Sequence, residues 1–112
     1  MNKRLLLSVL LSCSASQLLS QTFTRIATGA IVTDGGASRS ANWVDYDKDG
    51  WLDLFVSNGL TGGERNSLYR NNRDGSFAKI TSGPIVEHAQ PYDGASWADA
   101  DGDGDLDCFV VN

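Results

Sequence analysis

Two stretches decide how this chain reads: Asp45-Tyr46-Asp47-Lys48-Asp49-Gly50-Trp51-Leu52-Asp53-Leu54-Phe55-Val56 and Asp99-Ala100-Asp101-Gly102-Asp103-Gly104-Asp105-Leu106-Asp107-Cys108-Phe109-Val110. Both follow Asp-x-Asp-x-Asp-Gly-x-x-Asp, then become apolar. Carboxylates at alternate positions of a tight loop converge on one point, and glycine at the sixth position permits the sharp turn. Nine of the 14 acidic residues of the chain lie in these two runs, while its net charge is -5. Like charges that close repel, so the crowding opposes folding unless a cation offsets it.

Hard oxygen donors in number select calcium over zinc or copper. Magnesium fits less well, because it keeps its waters and a strict octahedron. The spacing assigns side-chain oxygens of Asp45, Asp47, Asp49 and Asp53 to a first ion, with the carbonyl of Trp51. A second ion would take Asp99, Asp101, Asp103 and Asp107, with the carbonyl of Asp105, whose own carboxylate points outward. An EF-hand needs a glutamate at the twelfth loop position and flanking helices. Val56 and Val110 stand there instead, and the residues after each loop favour strands. Dockerin-like modules fail on the same ground.

The loops belong to a longer repeat. An offset of 54 lays residues 23–58 on residues 77–112 without a gap, and 16 of the 36 positions are identical. The matches include Phe23 with Phe77, Gly29 with Gly83, Trp43 with Trp97 and Phe55 with Phe109. Repeats near this length, built of short strands, indicate solenoids, propellers or arrays. Four expected strands, at 40–44, 52–57, 67–71 and 76–80, favour the four-stranded blade of a β-propeller. Asn72-Arg73-Asp74-Gly75 carries the Asp-Gly signal of a hairpin between the last two. The expected fold is therefore all-β, made of propeller-type repeats: a first unit at about 23–76 and a second, truncated one at about 77–112. Fewer than two blades are present, whereas a ring takes about four to eight. The expectation is an N-terminal portion of a longer protein. Residues 23–26 match the last strand of a unit and would complete the final blade of a closed ring.

With 12 glycines, two prolines and 41% hydrophobic residues, the chain suits a turn-rich packed domain. Its acidic surface excludes nucleic acid as a partner, since nothing basic is clustered to displace counterions. Residues 1–20 read as a signal peptide, with Lys3 and Arg4 ahead of an apolar run and a cut between Ser20 and Gln21. The run is too short and too broken by serines to span a membrane. Leu10-Leu11-Ser12-Cys13 also permits a lipid anchor at Cys13. Cys108 reads as a small apolar strand residue, and no disulfide is expected. His88, the one histidine, has no nucleophile arranged around it in sequence. Trp43 and Trp97 read as core residues between blades, with sugar stacking as the alternative.

Trp43-x-Asp45-x-Asp47-x-Asp49-Gly50-x-Leu52-Asp53-Leu54-Phe55-Val56, followed by Leu68-Tyr69-Arg70-Asn71-Asn72-x-Asp74-Gly75-x-Phe77, resembles the FG-GAP/VCBS repeats of secreted proteins, which are similar to the propeller repeats of integrin α subunits. The resemblance covers residues 23–112. It implies calcium at the blade rim and a role in adhesion or ligand recognition, with an extracellular protein or glycan as partner. The expected protein is thus a secreted or cell-surface binding module and not an enzyme. The alternative is the scaffold portion of a larger secreted carbohydrate-active enzyme, such as a polysaccharide lyase or hydrolase.

Overall fold

The computed structural model describes residues 21–59 and 61–112. The proposed signal peptide and Cys13 lie outside the described residues. In chain order the elements are α1 (Ala30–Thr33), β1 (Ser38–Val44), β2 (Asp53–Asn58), β3 (Glu64–Arg65), β4 (Ser67–Asn71), β5 (Phe77–Ile80), α2 (Pro84–Glu87), β6 (Ala89–Gln90), β7 (Gly94–Ala98) and β8 (Asp107–Val111). Among the described residues no helix is long and apolar enough to cross a membrane.

Strands β1, β2, β4 and β5 form one antiparallel sheet in that order. Each lies beside its neighbour in the chain apart from the short β3, which leaves the sheet to pair with β6. This is the blade-type sheet expected from residues 40–80. Strands β7 and β8 form a separate two-stranded sheet and repeat β1 and β2 at the offset of 54. The fold is all-β, and the second unit holds two strands of a blade.

Alternation of side chains sorts the first sheet into two faces. Phe55 and Leu68 stand opposite each other across β2 and β4, and Leu68 faces Ile80 across β4 and β5. With Val44 and Val86 they make a buried cluster, against which Ile85, Ala95, Trp97, Cys108 and Val110 pack. The second unit thus covers this face of the first. Burying a side chain such as Phe55 or Leu68 is worth about 1.5–3 kcal/mol each, so the two units share one core. Trp43, Leu54 and Tyr69 are in register on the opposite face. There the Tyr69 hydroxyl donates to Asp34 at 3.0 Å, and Lys79 donates to the same carboxylate at 2.8 Å.

The units are also joined through the backbone. The Tyr92 amide donates to the Asn58 carbonyl at 3.1 Å, and the Ser57 hydroxyl to the Asp93 carbonyl at 3.2 Å. Gly59 sits at this seam, and a Cβ there would strike the Tyr92 carbonyl and lie 2.6 Å from Nε of Arg39. Only glycine lets the two backbones approach so closely.

Two features differ from the sequence expectation. Residues 23–26 are not a strand, and Phe23 is 86% exposed. Their counterpart β5 is a strand because β4 lies beside it, and no described strand lies beside residues 23–26. The segments after Gly29 and Gly83 each close one helical turn, α1 and α2, which the apolar patterning does not mark. Val86 of α2 is buried in the shared core, whereas α1 buries no residue.

Candidate metal centres

Each acidic run occupies a hairpin connection between the first two strands of its unit, β1 to β2 and β7 to β8. The loops fold by hydrogen bonds from their own amides to their own carboxylates, in the manner of Asx turns. In the first, the Asp45 carboxylate accepts from the amides of Asp49 at 3.0 Å and Gly50 at 2.9 Å. Asp47 accepts from the Asp49 amide at 3.3 Å, and Asp49 from the Trp51 amide at 2.9 Å. In the second, Asp99 accepts from Gly102 at 2.8 Å and Gly104 at 2.9 Å, Asp101 from Asp103 at 3.1 Å and Asp103 from Asp105 at 2.8 Å. The bonds to Gly50 and Gly104, to Asp49 and Asp103, and to Trp51 and Asp105 coincide at the offset of 54. Gly50 and Gly104 have φ of 85° and 90°, a left-handed conformation that a residue with Cβ adopts at a cost. The sequence repeat is therefore a repeat of loop geometry.

The geometry brings together two groups of carboxylates. Oxygens of Asp45, Asp47 and Asp49 lie within 4.8 Å of one another, as do those of Asp99, Asp101 and Asp107. Either group could hold a metal ion. Asp53 and Asp107 occupy the same place in their units, each accepting from the amide after the first aspartate: Tyr46 at 3.3 Å and Ala100 at 2.9 Å. Asp53 is fully buried and also accepts from the Asn71 amide at 2.7 Å, which ties the loop to the end of β4. Burial pushes its carboxyl above the usual carboxylate range, against the pull of these two amides. Among the described residues no strand stands beside Asp107 as β4 stands beside Asp53, and Asp107 is exposed. Asp103 stands outside the second triad and Asp53 outside the first. Trp51 is half exposed, and its amide serves Asp49.

Sequence reasoning missed two basic side chains. Arg73, in the β4–β5 turn, donates to Asp49 at 2.7 Å and holds that carboxyl below its usual range. Lys48, from the first loop, pairs with Asp105 of the second, so the outward-facing Asp105 side chain bridges the two units. Lys48 stands inside its acidic run and is visible there, but nothing in sequence joins Arg73 to a loop 24 residues away.

Cys108 is a free thiol in β8, partly buried on the core side. Loss of hydration pushes it up to about 11. Trp97 packs between the units as expected, its ring edge-on to Phe55 with centroids 5.5 Å apart. Trp43 does not: it leans on Phe77 at 5.9 Å and remains 57% exposed. His88 follows the last residue of α2 as its C-cap.

A comparison with protein families finds a match to the FG-GAP-like repeat over residues 45–110, more than half of the chain. No curated protein and no solved structure matches. The matched region opens at the first aspartate of one loop and closes in the strand that follows the other. With that span, those loops and the blade-type sheet between them, the chain belongs to the FG-GAP-like repeat family.

Proposed function

We propose that this chain is a calcium-binding, propeller-type recognition module of the cell exterior, in which each acidic loop holds one ion. The observation that carries the reading is that each of two loops, which share several hydrogen bonds at the offset of 54, gathers three carboxylates within 4.8 Å, though not the same three positions. The donors are oxygens, and a small net anionic site of this kind suits a hard cation. Asp45, Asp47 and Asp49, with Asp53 behind them, would hold one ion. Asp99, Asp101 and Asp107, with Asp103, would hold the other. Bound calcium supplies charge neutralisation and a fixed joint between adjacent strands.

Export is supported by the charged and apolar pattern of residues 1–20. The family match over residues 45–110 supports a repeat module, and recognition is the role that this resemblance implies. An extracellular protein or glycan is the class of partner.

The test is thermal unfolding in calcium and in chelator. An ion that binds the folded chain alone stabilises it by about 2.7 kcal/mol per site at a hundredfold excess over its dissociation constant. Melting should therefore move upward with calcium, return with chelator and respond less to magnesium. A melting temperature indifferent to all three would remove the metal from the account.

A further inference from the structure

The turn between β4 and β5 grips the first acidic loop at three places. Asn71 donates its amide to the Asp53 carboxylate at 2.7 Å and its side-chain Nδ2 to the Leu52 carbonyl at 3.0 Å. Its Oδ1 accepts from the Arg73 amide at 2.9 Å, beside which Arg73 adopts a left-handed backbone with φ of 66°. That conformation is uncommon for a residue with a long side chain and persists where the surroundings impose it. The guanidinium so delivered donates to Asp49 Oδ2 at 2.7 Å. Asn71 is thus anchored to the loop while it fixes the backbone of Arg73. The ion pair is made by a preset arm, not by two free side chains, and every residue in it lies within 49–73, inside the first unit.

Both oxygens of Asp49 are engaged: Oδ1 accepts from the Trp51 amide at 2.9 Å, and Oδ2 takes the guanidinium. Besides Asp49, the charges of Asp47 and Asp45 act on Arg73. A cation belonging to the chain therefore stands in the field of the three carboxylates whose oxygens lie within 4.8 Å of one another. Carboxylates at that spacing repel in an empty loop, and a resident guanidinium offsets part of the repulsion. A divalent ion drawn to the same carboxylates meets the guanidinium as a like charge and must share Asp49 with it.

We infer that Arg73 is a built-in counter-cation of the first loop: it holds the loop folded without a metal ion and weakens the binding of calcium there. The inference rests on the reading of that loop as a calcium site. The coupling is reciprocal, so the factor by which Arg73 weakens calcium binding is the factor by which calcium reduces the contribution of Arg73 to folding. An ion pair that merely tethers two loops contributes alike with the ion and without it.

The experiment measures calcium affinity, by competition with a chromophoric chelator, and urea unfolding of the full chain at low ionic strength for wild type, Arg73→Gln and Arg73→Lys. Arg73 is half exposed and both substitutions keep its main-chain bond to Asn71, so each variant should fold. Arg73→Gln should tighten calcium at one site by about 3- to 10-fold, the scale of one unit charge beside a divalent ion in a solvent-like dielectric. Its urea midpoint should fall further below wild type in chelator than in saturating calcium. Arg73→Lys keeps the charge and should stay close to wild type in both. The tightening should persist in an Asp101→Ala background and vanish in an Asp47→Ala background, which places it at the first loop. In about 1 M salt, where the screening length is about 3 Å, it should fade. An Arg73→Gln chain that binds calcium as wild type does, or more weakly, overturns the inference, as does a urea loss equal in calcium and in chelator. If none of the proteins binds calcium, the calcium reading fails and the antagonism with it. The urea midpoints in chelator still decide whether Arg73 holds the loop, and equal midpoints for wild type and Arg73→Gln would overturn that claim as well.

Discussion

Replacing Phe55 with alanine should be costly, and replacing Phe109 with alanine should cost almost nothing, although the two residues occupy the same place in the repeat. Phe55 is fully buried at the centre of the shared core and takes the edge of Trp97 at 5.5 Å. Truncating a buried phenylalanine costs about 3–5 kcal/mol, of which about 0.5–1.5 kcal/mol belongs to the aromatic pair. Phe109 is 70% exposed, so its removal from the single chain should stay within about 0.5 kcal/mol. Urea unfolding in calcium, followed by tryptophan fluorescence at low protein concentration, separates the two. With a slope of about 1–1.5 kcal/mol/M, the Phe55→Ala midpoint should fall by about 2 M or more. Equal losses in the two variants, or a Phe55→Ala loss under about 1 kcal/mol, would refute the claim that the second unit seals the first through this ring.

Asp47→Ala and Asp101→Ala should each remove one calcium site and leave the other, so calorimetric stoichiometry should halve in either variant; unchanged stoichiometry would contradict the ligand assignment. Gly59→Ala should destabilise by about 1–3 kcal/mol, the usual cost of overpacking, because its Cβ meets the Tyr92 carbonyl; a neutral result in chemical unfolding would show that the seam can open. Lys79 first, and then Tyr69, hold the Asp34 carboxyl below its ordinary value, so the ionised form favours folding. That contribution is present above about pH 4 and lost as pH falls through the lowered folded-state value. The stability gap between wild type and Asp34→Asn should accordingly narrow as unfolding is measured at falling pH, and a gap independent of pH would exclude the pair as its source. In a Cys13→Ser background, Cys108 should react with a disulfide reagent at pH 8 about 100-fold more slowly than a free thiol, since burial raises its pKa to about 11; ordinary reactivity would show that β8 is open on its core side.

Much of this architecture was legible because it is local or repeated. The strands at 40–44, 52–57 and 67–71 follow from apolar and β-branched residues bounded by turn signals, and the Asp74-Gly75 hairpin follows from its dipeptide. The loop geometry was legible because an Asx turn depends on residues two to five positions apart. The burial of Asp53 was not, since it depends on the Asn71 amide arriving from β4, 18 residues away. Arg73 on Asp49 was hidden for the same reason. Residues 23–26 carry a strand pattern without a strand, because pairing requires a neighbour that local sequence does not supply. The unequal fates of Trp43 and Trp97 are the same lesson: identical residues in identical registers differ in exposure because, among the described residues, only Trp97 has another unit against it.

The central claim is that the two acidic loops are cation sites, one to each unit. Counting bound calcium per chain at saturation, by native mass spectrometry after exhaustive chelation, tests it most directly. Two ions per chain are predicted; a chain that stays free of calcium, or binds a single ion shared by both loops, would contradict the account.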